Sequence, residues 1–252
     1  MVLETIFTVQ YSFILLVTIG LMAVLYSSVG HGGASGYLAA MALWGLLPEE
    51  MRPAALLMNI VVTSWLLYRF NPYKLMPYKL FWPLAIASTP LAFVGGLVKI
   101  DAQVYQLLVG TMLLLATMRM LMVNKEAEST QEPAMSVVVL VGVILGFCAG
   151  LTGIGGGVFL SPIVLIFGWC TIRQSTAVAA GFILLNSIGG LAGYVVSDQP
   201  WPLGAGWLVA AAFVGCLFGG ELAAHRASSF TLRKLLAVVL AIASVKMVYT
   251  AL

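Results

Sequence analysis

The sequence predicts an all-α polytopic membrane protein of two inverted repeats, each combining a glycine-rich broken or re-entrant helix hairpin with three net-crossing helices. Three observations carry that expectation. Of 252 residues, 62% are hydrophobic and 8% charged, with a mean hydropathy of +1.06. Water-soluble domains run nearer ~45–50% apolar and ~25% charged. Apolar runs of about 20 residues, the length that spans a ~30 Å hydrocarbon core as a helix, recur along the whole chain. Finally, "YSSVGHGGASG" at 26–36 and "GLTGIGGG" at 150–157 superimpose when the chain is slid against itself by 123 residues.

The first segment is 6–27. Glu4 is the only charge before Glu49, and no Lys or Arg stands before Arg52, so no basic region precedes the apolar run and it reads as a membrane segment, not a cleaved signal peptide. A break containing His31 follows, then a short apolar piece, Tyr37–Leu47. Full-length candidates come next at 52–70, 80–98 and 102–123. Segment 135–150 is marginal at 16 residues. After the second break lies Val158–Gly168, which like Tyr37–Leu47 has only 11 residues. Such pieces cover about half a bilayer and suit discontinuous helices. The remaining candidates are 172–196, 203–222 and 231–250.

The offset of 123 sets Gly30, Gly32 and Gly33 on Gly153, Gly155 and Gly156, and pairs Gly45 with Gly168, Ala54 with Ala177 and Ser64 with Ser187. It also pairs Pro77 with Pro200 and Gly96 with Gly219. Agreement of lengths, breaks and punctuation marks an internal duplication: repeat one at 1–123, a polar cytoplasmic linker at 124–134, and repeat two at 135–252.

Arg69, Lys74 and Lys79 in one loop and Arg226, Arg233 and Lys234 in another mark the cytoplasmic side. If each break with its short helix does not net-cross, Arg119, Lys125 and Arg173 join them, leaving Arg52, Lys99 and Lys246 outside. Each copy then crosses three times, an odd number, so the second is inverted. Inverted repeats with discontinuous helices are a transporter architecture. The bases stand singly and form no stripe, so nucleic acid is not a partner; the lipid bilayer is. Cys148, Cys170 and Cys216 show no CxxC spacing and read as small core residues.

In hydrocarbon an unpaired peptide group costs several kcal/mol, so irregular backbone belongs where it lines protein or a wet cavity. Each break delivers a short helix whose first N–H groups and positive dipole end face the midplane. Two such ends make an anion site without lysine or arginine. The substrate-binding candidates are therefore Gly30, His31, Gly32, Gly33 and Ser35 at the first break, and Thr152, Gly153, Gly155, Gly156 and Gly157 at the second. Asn59, Thr63 and Ser64 with Asn186 and Ser187 stand at matching points of the next helices. Ser27, Ser28 and Ser161 flank the breaks. For any single Ser or Thr the alternative is interhelical hydrogen bonding.

His31 has no counterpart in the second copy, where Ile154 takes its place. It either binds the anion or carries a proton, or it holds the loop through a backbone carbonyl. Glu221 is a gate or proton site if it is not interfacial like His225. No segment carries a carboxylate pair, and HExxH, GxSxG and nucleotide phosphate loops are absent. The sequence thus assigns no catalytic residue, metal or cofactor. "GLTGIGGG" lacks the βαβ setting of a dinucleotide fingerprint.

The paired motifs GHGGASGYL and AGLTGIGGGVFLSPIVL resemble the sulfite exporter TauE/SafE family, also called the toluene-sulfonate uptake permeases, over nearly the full chain. The resemblance implies a bacterial or archaeal inner-membrane carrier of small sulfur-containing anions such as sulfite or organosulfonates, with Gly30, Gly32, Gly33, Gly153, Gly155 and Gly156 in the substrate loops. Outward movement of an anion is favoured by ~2.3 kcal/mol per charge per 100 mV. Export therefore needs no coupling ion, whereas uptake needs proton or sodium coupling. An anion channel of the same architecture is the first alternative, and a membrane-embedded enzyme using His31 the second.

Overall fold

The computed structural model describes residues 13–28, 30–70, 75–122, 131–202, 204–224 and 229–252. Ten helices are described: α1 Phe13–Ser28, α2 Ala34–Leu43, α3 Pro48–Phe70, α4 Tyr78–Leu97, α5 Ala102–Met122, α6 Met135–Thr152, α7 Gly157–Ile166, α8 Ile172–Val196, α9 Ala205–Ala224 and α10 Ser229–Ala251. No strand occurs among the described residues. Among the described residues, four helices are long and apolar enough to cross a membrane: α3 over Pro48–Arg69, α4, α6 and α8. The segment expected to be marginal, 135–150, is thus one of them as Met135–Thr152. The expected spans 6–27, 102–123 and 203–222 run partly into residues outside the described set, and 231–250 falls within α10.

Local chemistry sets the boundaries. Thr171 caps α8 with a capping box, its N–H donating to Gln174 Oε1 at 2.9 Å, which satisfies donors a helix start leaves open. Glu49 and Glu50 occupy the first turn of α3 and Arg69 its last, each opposite in sign to the dipole end beside it. The two short helices begin and end on glycine. Gly33 and Gly156 precede them, and Gly45 and Gly168 follow with φ of 78° and 63°. The Leu46 N–H then reaches Met41 O at 3.1 Å and the Trp169 N–H reaches Val164 O at 2.8 Å, the Schellman closure. The sequence places these pieces at 37–47 and 158–168; the structure starts them earlier because the helix resumes directly after the last positive-φ glycine.

Helices α2 and α7 have ten residues each and start 123 apart, at 34 and 157. The third helices, α3 and α8, start 124 apart at 48 and 172, so the ungapped register already slips there: Gly32 meets Thr63 where Gly155 meets Ser187, and Ser64 and Ser187 are not equivalent. At the fourth helix of each copy the offset is 127: α4 and α9 start at 78 and 205. Pro77 and Pro200, and Gly96 and Gly219, are not equivalent, because the starts of α8 and α9 lie 33 residues apart where those of α3 and α4 lie 30 apart.

Packing interleaves the copies. Helix α1 lies on α9 and α6 lies on α4, so the first helix of each copy packs on the fourth of the other. Glycine makes these approaches. A β-carbon at Gly146 would meet Ser88 O at 2.2 Å, one at Gly150 would meet Ala92 O at 1.9 Å, and one at Gly215 would meet Gly20 O at 2.2 Å. Small residues at such crossings let backbones touch where lipid supplies no hydrophobic drive. Two buried clusters result. One joins α1, α2, α3, α5, α9 and α10; the other joins α4, α7 and α8 with Val138 of α6. They meet along α3 and α8, which run antiparallel: Leu56 faces Gly190 and Asn59 faces Ser187.

Arg52, expected on the outer side at the head of span 52–70, is buried in the fold. It is 3% exposed in α3 and donates to three main-chain carbonyls: Nε to Gly150 O at 3.0 Å, Nη1 to Val98 O at 3.0 Å and Nη2 to Gly95 O at 2.6 Å. Those oxygens lie at the carboxyl ends of α4 and α6, where the helix dipole favours a cation. Lys246 is likewise half-buried in α10 and donates to Leu43 O at 2.7 Å, the last residue of α2. The linker residues 123–130, Lys74, His225 and Arg226 lie outside the described residues, as do the side chains of Arg119, Glu221, Arg233 and Lys234; Lys125 falls within that linker.

Candidate anion site at the paired breaks

Each break opens with a helix stop. After α1, the Gly30 N–H donates to Ser27 O and the His31 N–H to Tyr26 O, both at 3.0 Å, with Gly30 at φ 75°. After α6, the Gly153 N–H donates to Ala149 O at 2.9 Å with φ 85°. Thr152 Oγ1 donates to Cys148 O at 2.7 Å and accepts from the Ile154 N–H at 3.3 Å. Gly33, Gly155 and Gly156 also have positive φ, a region that costs other L-residues ~1–2 kcal/mol.

The two breaks converge on one pair of side chains. A β-carbon at Gly32 would lie 2.9 Å from Asn59 Oδ1, 2.9 Å from Thr63 Cγ2 and 3.1 Å from Ile183 Cγ2. One at Gly155, the repeat partner of Gly32, would lie 2.7 Å from Asn59 Nδ2, 2.9 Å from Ile183 Cγ2 and 3.3 Å from Ser187 Oγ. Asn59 thus sits between the loops. Its Nδ2 donates to Ser187 Oγ at 3.2 Å, while Oδ1 has no hydrogen-bond partner although the residue is fully buried. His31 ties the first break to the second short helix: its Nε2 lies 2.9 Å from Ser161 Oγ.

Around this centre, Gly157 rests against Ile183, Gly156 against Phe182 and Gly30 against Thr176. Neither α2 nor α7 has a side-chain cap at its amino end, so the first N–H groups are open to whatever occupies the centre. The first helical bonds are Tyr37 N–H to Gly33 O and Leu160 N–H to Gly156 O.

Several predicted residues are occupied elsewhere. The Ser35 hydroxyl pairs with Tyr26 OH at 2.7 Å, and Thr63 Oγ1 donates to Asn59 O at 2.6 Å, leaving its methyl toward Gly32. Ser64 is exposed on the opposite side of α3. Asn186 is fully buried with both amide atoms unpartnered. It lies in the α8 stripe of Phe182, Gly189 and Gly193, of which the two glycines meet α4. Sequence reasoning passed over Tyr37 and Ile183. Tyr37 is buried with an unpartnered hydroxyl, and a β-carbon at Gly33 would touch that oxygen at 2.7 Å. Helical side chains lean toward their amino end, which was the available signal. Among the described residues no group of three His, Cys, Asp or Glu side chains is placed to hold a metal.

The profile of the family described as sulfite exporter TauE/SafE matches residues 15–247. The chain belongs to the sulfite exporter TauE/SafE family. A relative in Sinorhizobium fredii, named a probable membrane transporter protein, is 32% identical over 90% of this chain and 94% of its own. Relatives with the same description in Methanocaldococcus jannaschii and Bacillus subtilis are 27% and 23% identical, over 73% and 94% of this chain and 73% and 98% of theirs. No solved structure matches. As a TauE/SafE family member with several long apolar helices, the chain is a multi-pass membrane protein of a transporter family.

Proposed function

We propose that this transporter exports small sulfur-containing anions, sulfite or an organosulfonate, from a seat between the two glycine breaks. The observation that carries this reading is the convergence of Gly32 and Gly155 on Asn59 and Ile183 beneath two uncapped short helices. Peptide N–H groups and two positive dipole ends supply the attraction without a lysine or arginine. Oxyanions suit such donors because each oxygen accepts a charge-assisted hydrogen bond.

Alternating access follows from the packing. The antiparallel course of α3 and α8 supports an inverted repeat, with repeat one at 1–123 and repeat two at 135–252. Because α1 lies on α9 and α6 on α4, the rocking bodies exchange their fourth helices, and the seat opens to one side or the other along α3 and α8. Asn59, Thr63 and Ser187 are fully buried, which supports an occluded carrier over a channel, whose lining stays wet. Outward anion flow is downhill in an inside-negative cell, so the scheme needs neither proton nor sodium.

The test is thermal stabilisation of the purified protein by sulfite, thiosulfate, sulfate, a sulfonate and chloride, with and without sodium. A ligand that binds the native state alone stabilises by about 2.7 kcal/mol at a hundredfold excess over Kd. A selective shift with one sulfur anion is expected. Equal responses to all, or none, overturn the sulfur assignment.

A further inference from the structure

We infer that the Tyr37 hydroxyl is a direct substrate contact, and that the anion is held asymmetrically against the first short helix; this rests on the anion-carrier reading above. Tyr37 is fully buried and its hydroxyl has no hydrogen-bond partner. Its ring folds back along α2, so that a β-carbon on Gly33, the residue preceding that helix, would lie 2.7 Å from both the hydroxyl and Cζ. An O–H donor is thereby parked beside the uncapped amino end of α2.

A buried phenol without a partner forfeits the water it would otherwise bond. That loss is recovered if an acceptor arrives during the working cycle, and an anion drawn to the α2 amino end is such an acceptor. The second copy offers nothing equivalent. At the offset of 123, Tyr37 falls on Leu160 and His31 on Ile154, both apolar and buried. The two breaks, alike in backbone, therefore differ at these two positions, where the first copy carries the polar side chain. Tyr37 would act as a specificity-determining donor that orients one anion oxygen, while the peptide groups of both breaks supply the general attraction.

The experiment compares wild-type protein with Tyr37→Phe in sulfite titrations followed by thermal unfolding, and in sulfite flux from proteoliposomes. The variant keeps the ring and removes an oxygen that bonds nothing, so its unliganded Tm should equal or exceed that of wild type. Its apparent Kd for sulfite should rise roughly tenfold or more, the loss expected for a hydrogen bond to a charged group. Sulfite affinity and flux equal to wild type overturn the assignment while leaving the anion seat intact. A lower unliganded Tm with unchanged affinity also overturns it, since the hydroxyl then serves an internal water. If no anion stabilises the wild type either, the carrier reading falls and this inference with it.

Discussion

Asn59 shows how much one side chain can organise here. Its amide touches both glycine breaks and bonds Ser187 across the α3–α8 seam, so it reports on the seat more directly than any loop residue. Asn59→Asp changes the volume little but places a negative charge where the seat would hold an anion. Like charges in a water-poor site oppose each other far more strongly than in bulk water. Sulfite-dependent stabilisation should therefore disappear in this variant at concentrations that saturate wild type, as read by thermal unfolding. A wild-type response would remove Asn59 from the seat. Tyr37 belongs to the same scale, and so does His31, whose bond to Ser161 joins the first break to the second short helix. The sequence made His31 conspicuous by composition alone, whereas Tyr37 stayed hidden inside an ordinary apolar run.

Among the elements, the short helices α2 and α7 define the molecule, and Arg52 shows how one break is braced. Its guanidinium gathers carbonyls from the carboxyl ends of α4 and α6, its ring-facing side lies 5.4 Å from the Tyr194 centroid, and its backbone abuts Gly153. The planar fork of arginine reaches three acceptors at once; a lysine ammonium cannot span them from one point. Arg52→Lys should leave at least one buried carbonyl unpaired and destabilise the protein by ~1–3 kcal/mol, visible as a lower Tm and weaker protection of the 150–157 backbone in hydrogen exchange. An unchanged Tm would mean the brace is dispensable. Tyr105 adds a second tie, donating to Thr152 O at 2.9 Å. Element lengths were readable beforehand because glycines bracket both short helices. Arg52 was not, since a cation near the edge of an apolar run looks the same whether it turns out to water or in to carbonyls.

At the scale of the whole molecule, export by uniport makes a prediction no single residue makes. In proteoliposomes, each net negative charge carried outward should gain ~2.3 kcal/mol per 100 mV, a shift of roughly fiftyfold in the steady-state sulfite ratio for a monovalent species. Clamping the potential and measuring that ratio separates uniport from electroneutral exchange, in which the ratio would not move. The swapped packing bears on the same question. Because α1 packs on α9 and α6 on α4, the proposed cycle would carry α9 with α1 and α4 with α6.

The sequence by itself determined the membrane class and the two breaks, because composition, run length and glycine punctuation are local properties that need no partner. It also determined where the two short helices begin, since the glycines that stop and restart the helix are visible in it. The tertiary structure alone decided which candidates meet. It set Asn59 between Gly32 and Gly155, turned Ser64 outward, engaged Ser35 with Tyr26 and put the Tyr37 hydroxyl beside Gly33. It likewise revealed the four-residue slip between the copies and the exchange of fourth helices. The reason is physical: a helix presents every residue to some neighbour, and which neighbour depends on crossings set by glycine contacts far apart in the chain, a relation that periodicity within one segment does not encode.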